Sequence, residues 1–208
     1  MSKIKLPHAS GNSMSIGAPA TNPASDLELK LPATVGSANQ VLANSSTPGT
    51  LAFANLPINE FDYWYLTAGK TDSTDVTANL ARNNEKGYAD QIGTGMSESS
   101  GIFTFPSTGK WLVICNAIFD CTNDDSVFLY TNVTTNNSDY STHSQLSDGN
   151  NGTGTRRGSG TSFAWLDVTD TSQVKVKFTT GSIGTSSQLR GGTNQVETAF
   201  IFVRLGDT

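Results

Sequence analysis

From about residue 60 to the end, the chain is a succession of short apolar runs separated by Gly, Asn, Asp and Ser clusters, and the runs are of two kinds. In Val174-Lys175-Val176-Lys177-Phe178 apolar and charged positions alternate one for one. That is the period of a strand with one face on a core and the other in water. In Trp111-Leu112-Val113-Ile114-Cys115-Asn116-Ala117-Ile118-Phe119 both parities are apolar. The same holds for Ala199-Phe200-Ile201-Phe202-Val203 and for much of Phe163-Ala164-Trp165-Leu166 and Tyr63-Trp64-Tyr65-Leu66. Strands are predicted over residues 61–67, 76–81, 88–92, 102–105, 110–119, 127–133, 140–146, 162–167, 173–178 and 198–205. No stretch carries a convincing 3.6-residue period, so the pattern predicts an all-β protein, an antiparallel jelly-roll sandwich of about ten strands.

The doubly apolar strands have a further consequence. A sheet that is apolar on both faces needs a cover on its second face, and no helices are predicted to supply one. Another copy of the same sheet is the simplest cover, which predicts an obligate homo-oligomer. The alternative is that the N-terminal part of the same subunit covers it.

That part, residues 1–59, has a different texture: many Ala, Ser, Pro and Gly, few aromatics, and short apolar clusters punctuated by proline. It cannot build a core of its own. Leu27, Leu29 and Leu31 alternate with Glu28 and Lys30, a half-buried strand by period, so the segment is predicted to pack on something else. Pro48-Gly49 and Leu56-Pro57 mark its end. The reading is an extended N-terminal arm over 1–59 and a jelly-roll head over 60–208.

Composition agrees with this picture and removes several alternatives. Of 208 residues 36% are apolar and only 15% charged, too few charges for a coiled coil. The net charge of −5 argues against a nucleic-acid binder. No signal-like apolar stretch follows the N-terminal lysines and none approaches the ~18 residues of a membrane span, so folding in a cytosol without membrane insertion is expected. Cys115 and Cys121 lie six apart on one predicted strand, about 20 Å at ~3.3 Å per residue, beyond disulfide reach. Both are expected to be reduced thiols.

Gly101-Ile102-Phe103-Thr104-Phe105-Pro106-Ser107-Thr108-Gly109-Lys110-Trp111 resembles the strand-turn-strand signature of the globular head of complement component one q, whose jelly roll is shared with the tumour necrosis factor family. The matching positions are Gly101, Phe103, Pro106, Gly109 and Trp111. Ser159-Gly160 before Trp165-Leu166, the strand Gln173-Val174-Lys175-Val176 and the closing Thr198-Ala199-Phe200-Ile201-Phe202-Val203 extend the match over residues 60–208. The resemblance implies a homotrimer whose inner sheet holds the doubly apolar strands, with Trp64, Ile114, Ile118, Trp165, Ile201 and Val203 as candidate interface residues. No collagen-like repeat precedes the head. Instead Gly11-Asn12-Ser13, Leu27-Glu28-Leu29-Lys30-Leu31-Pro32, Gly36-Ser37-Ala38-Asn39-Gln40-Val41-Leu42 and Gly49-Thr50-Leu51-Ala52-Phe53 resemble segments of bacteriophage tail fibres. This second likeness implies a virion protein, assembled in the host cytoplasm. A tail fibre or fibre tip binding a host surface glycan is expected, with the arm joining other virion proteins. A capsid decoration or cement protein is the alternative, and a carbohydrate-binding module or a glycan depolymerase would belong to other classes.

Catalytic chemistry finds little support. The chain has two histidines, His8 and His143, and no Gly-x-Ser-x-Gly elbow. Gly149-Asn150-Asn151-Gly152-Thr153-Gly154-Thr155-Arg156-Arg157-Gly158 places Arg157 where a dinucleotide fingerprint needs glycine, and reads as a loop. Asp120, Asp124 and Asp125 could offer oxygen ligands to a divalent cation, but without calcium-loop spacing they read as a solvated turn. No enzyme, cofactor or metal is predicted. The candidate glycan contacts are Tyr140, His143, Arg156 and Arg157, whose ring planes and guanidinium groups suit sugars and anionic glycans.

Overall fold

The computed structural model describes the chain except residues 1–2, 8–10, 12, 18–20, 22–23, 26–27, 38–39, 56–57 and 83–90, and without the side chains of 3–7, 13–17 and 55. The chain divides into two compact units, Met1–Leu56 and Pro57–Thr208.

The first unit holds two antiparallel hairpins, β1 (Lys3–Pro7) with β2 (Ser13–Gly17) and β3 (Gln40–Asn44) with β4 (Leu51–Asn55). Among the described residues 28–31 the expected half-buried strand through the leucines does not form. Of these four only Lys30 pairs, as a parallel bridge to Thr50: its N–H donates to the Gly49 carbonyl at 2.9 Å and its carbonyl accepts from the Leu51 N–H at 2.8 Å. Leu29 and Leu31 are exposed, while Leu27 and His8 lie outside the described residues. Alternation alone overstated this strand, because a bridge of one residue leaves no sheet face on which leucines could be buried.

The second unit contains β5 (Phe61–Leu66), β6 (Leu80–Arg82), β7 (Gln91–Ile92), β8 (Ser97–Ser99), β9 (Ile102–Thr104), β10 (Gly109–Cys121), β11 (Asp124–Thr134), β12 (Ser141–Asn150), β13 (Arg156–Val168), β14 (Lys175–Gly181), β15 (Gln188–Leu189) and β16 (Ala199–Gly206). They form two antiparallel sheets. The seven-stranded sheet runs β13-β10-β16-β5-β6, with β15 paired to β10 and β7 to β5; the five-stranded sheet runs β12-β11-β14-β9-β8. The chain passes from one sheet to the other after β7, β9, β10, β12, β13 and β14, the jelly-roll pattern expected from the sequence. No helix occurs among the described residues.

The core lies between the sheets. Trp111, Val113, Cys115, Ala117 and Phe119 point inward from β10 and meet Val127, Leu129, Val176 and Phe178 from the smaller sheet. Phe103 is the centre of an aromatic cluster, with ring centroids 5.3 Å from Trp64, 5.7 Å from Phe178 and 5.0 Å from Phe202. Both thiols are free and buried, and burial pushes the Cys121 thiol up to about 11. Neither is reactive at neutral pH.

Several predicted strands change in extent. Of 76–81, only Leu80 and Ala81 are in a strand; Val76 is a buried residue whose N–H donates to Phe178 at 2.8 Å. Of 88–92, Gln91–Ile92 is paired, and Tyr88 is not among the described residues. The glycine-rich stretch read as a loop is half strand: β12 continues to Asn150 and β13 begins at Arg156, leaving residues 151–155 as the connection. Asn150 closes it by donating to Cys121 at 3.1 Å and accepting from the Gly152 N–H at 3.0 Å. Gly158 pairs with Phe119 in β13, and the position needs glycine because a Cβ there would overlap the Asp148 carboxylate.

The head signature acquires a backbone cause. Ser99 pairs with Ile102 across a two-residue turn whose members, Ser100 (φ 52°) and Gly101 (φ 82°), are both left-handed, a type I′ hairpin turn. A Cβ on Gly101 would overlap the Val76 carbonyl. Gly101→Ala should therefore cost about 2–3 kcal/mol from the unfavourable conformation and the overlap together. A urea melt checks this through the shift in midpoint at unchanged slope.

Candidate functional site

The outward face of the seven-stranded sheet is built from the second parity of its strands. Register places Trp165 opposite Leu112, Leu112 opposite Val203 and Val203 opposite Phe61, one apolar row across four strands. The next row is Phe163, Ile114, Ile201 and Tyr63. These eight side chains share one face because residues two apart in a strand do, and cross-strand partners point the same way. Trp165 is 65% exposed and Phe163 54%, unusual values for such residues on a protein of this size.

Polar groups close the face at both ends. Lys110 and Asp167 form an ion pair beside the first row. Beyond the second row the Thr161 hydroxyl donates to Asn116 Oδ1 at 2.7 Å. Ile118 follows, half-buried opposite Ser159, and then Asp120 opposite Arg157. Asp120 is a buried carboxylate held by Arg157 Nε at 2.8 Å and Arg190 Nη1 at 2.6 Å, and Arg190 Nε also reaches Glu197 at 2.7 Å. The Arg157 hydrogen bond, followed by that of Arg190, holds the Asp120 carboxyl below the usual carboxylate range.

A group whose folded pKa is depressed contributes stability that is present above its unfolded value of ~3.9 and is lost as pH falls through the folded value. Stability measured by thermal melts from pH 6 down to pH 3 should fall steeply below about pH 4. Asp120→Asn should be less stable at pH 6 and show a shallower fall. Equal slopes in the two proteins would assign the acid sensitivity elsewhere.

Of the candidate interface residues, Ile114, Trp165, Ile201 and Val203 lie in the two apolar rows, and Ile118 faces outward on the same strand further along. Trp64 does not. It is 8% exposed, packed edge-on against Phe103 in the core and covered by the Arg82 guanidinium 4.7 Å from its ring. Pairing with the inward-facing Phe200 sets this parity, and Tyr63 takes the outward position instead. Phe61, Tyr63, Leu112 and Phe163 are members of the face that sequence reasoning missed. Phe163 lies two residues from Trp165 and Leu112 two from Ile114, so strand period alone could have found them, whereas Phe61 and Tyr63 are placed only by their pairing with Val203 and Ile201.

The four candidate glycan contacts are not brought together. Tyr140 sits at the start of β12 with Lys177 Nζ 4.5 Å over its ring. His143 lines a cleft of about 260 Å³ with Asp139, Ser141, Trp165 and Asp167. Arg156 and Arg157 lie at the other end of β12, past Asn150, roughly 25–30 Å away at ~3.3 Å per residue. Both arginines are engaged, Arg156 with Asp148 at 3.4 Å and Arg157 with Asp120. Two of the three aspartates considered for a cation are engaged elsewhere: Asp120 faces its two arginines, and Asp124 accepts the Gly184 N–H at 3.0 Å. Among the described residues no cluster of His, Cys, Asp or Glu is arranged to hold a metal.

No family model matches the chain, and no curated protein is similar to it at a significant level. Solved structures do match. The Eiger TNF structure from S. frugiperda superposes with a TM-score of 0.52 at 14% identity, covering 74% of this chain and 96% of that one. Murine APRIL superposes with a TM-score of 0.51 at 12% identity, covering 70% of this chain and 98% of that one. The sheet order and these superpositions together give the head the antiparallel jelly-roll fold of the tumour necrosis factor proteins.

Proposed function

We propose that the chain is a homotrimeric structural protein of a bacteriophage virion, a tail fibre or fibre-tip subunit. In this reading the head contacts a glycan on the host surface, and the N-terminal unit joins other virion proteins. The observation that carries self-association is the pair of apolar rows through Trp165 and Phe163 on an uncovered sheet face. Removing such a face from water is favourable by about 25 cal/mol per Å² of apolar surface. The resemblance to a trimer-forming sheet supports a closed three-fold arrangement, in which each copy covers its neighbour. The virion assignment is supported by the tail-fibre-like segments of the first unit and by the low charge and small polar residues of the whole chain.

No catalytic role is assigned.

Two measurements test the reading. Light scattering at micromolar concentration should return the mass of three chains, and a monomer would end the self-association argument. Gold-labelled antibody on intact particles should mark fibre tips. Label spread over the whole capsid would replace the fibre assignment by capsid decoration, and unlabelled particles would remove the virion assignment.

A further inference from the structure

We infer that the outward face of the five-stranded sheet carries a binding site for a neutral pyranose sugar, built on Phe128 and Tyr130. The inference rests on the attachment role proposed above and gives it a location different from the four residues considered in sequence. Phe128 and Tyr130 are both half-buried and point away from the core on β11; their ring centroids are 5.5 Å apart and their planes differ by 12°. Register puts Ser147 and Gly181 on either side of Phe128, and Gln145 and Thr179 on either side of Tyr130. Gly181 makes room for the ring: a Cβ there would stand 2.7 Å from Tyr130 Cε2, so any larger residue would push the ring off β14.

The chemistry of this block suits a sugar. A pyranose presents a face of C–H groups, which packs on an aromatic plane, and a rim of hydroxyls, which needs hydrogen-bonding partners. The side chains of Gln145 and Ser147 are exposed and make no hydrogen bond among the described residues, so their donors and acceptors are available. None of the six residues is charged; the Thr179 hydroxyl donates to the Asp75 carboxylate at 2.5 Å, and Lys177, one row away, is paired with the same carboxylate at 2.8 Å. A rim with no unpaired cation favours a neutral sugar over an anionic glycan. Two rings and four small neighbours fall far short of the ~800 Å² per partner of a standard protein interface but match one or two sugar units. The block also lies on the sheet face opposite the core from the two apolar rows, so it stays open when those rows are covered.

Affinity electrophoresis through gels containing dextran, mannan, a soluble β-glucan or polysialic acid tests the site. At least one neutral polysaccharide should retard the full chain, and polysialic acid should not. Tyr130→Ala and Phe128→Ala should each weaken that retardation by roughly tenfold or more. Gly181→Ala, which keeps both rings but displaces one, should weaken it as well. No retardation by any neutral polysaccharide overturns the site, as does equal retardation of the wild type and all three variants, or retardation by polysialic acid alone. Light scattering on the same samples separates this from the proposal above. Trimeric variants that bind unchanged refute only the sugar site, whereas a monomeric wild type refutes only the self-association.

Discussion

Ile201→Asp is expected to turn the proposed trimer into a monomer at micromolar concentration, with its circular dichroism unchanged. Ile201 lies mid-row between Ile114 and Tyr63 on the outward face. In a separated subunit it is only half-buried, so a carboxylate there can remain hydrated. In the assembly the same carboxylate would be stripped of water without a cation facing it in the row. An uncompensated buried charge costs several kcal/mol, and three copies would each introduce one. Sedimentation velocity reads the result directly. A variant that remains trimeric would place the interface elsewhere. The wet-face lysine of the smaller sheet that suggests itself as a control, Lys177, is not neutral: it pairs with Asp75 at 2.8 Å and lies over the Tyr140 ring. Lys175→Gln on the same strand is the better control and should leave the trimer intact.

Phe103→Ala should be the most destabilising single truncation in the head. The ring is fully buried and touches the rings of Trp64, Phe178 and Phe202, contributed by both sheets. Rigid strands cannot collapse into the space it leaves. The loss of transfer free energy and the cavity together cost about 3–5 kcal/mol for a buried phenylalanine. Against a typical total of ~5–15 kcal/mol this is a large fraction. Chemical denaturation at fixed protein concentration checks it, since association also contributes to apparent stability. A loss below about 1 kcal/mol would mean that the two sheets are not held by this cluster.

Much of the head was legible in the chain because strand periodicity is local. The clean alternation of Val174 to Phe178 reports a half-wet strand whatever its neighbours are, and β14 has Val176 and Phe178 inside with both lysines outside. The doubly apolar run from Trp111 to Phe119 likewise announced a sheet with an apolar second face. The same rule applies to Val127-Phe128-Leu129-Tyr130, but only the tertiary structure makes the outward rings parallel and sets one over a glycine, the features on which the proposed sugar site rests.

What failed was assembly. In Tyr63-Trp64-Tyr65 both parities are aromatic, so nothing local decides which ring goes inward; pairing with β16 does. Arg156 and Arg157 looked available in a glycine-rich loop, but β13 extends through them and Asp120, on the neighbouring strand, claims Arg157. The short strands β8 and β15 contain Ser, Glu and Gln and exist because a hairpin turn or a neighbouring strand end supplies their hydrogen bonds.

The sequence by itself determined that this is an all-β sandwich with one sheet apolar on both faces, since alternation and turn residues act within a few positions of themselves. The tertiary structure alone decided which parity of each strand turns outward, which charged groups are already paired, and which side chains from different strands meet. Those outcomes depend on register between strands far apart in the chain, and register is settled by the packing of the whole sandwich.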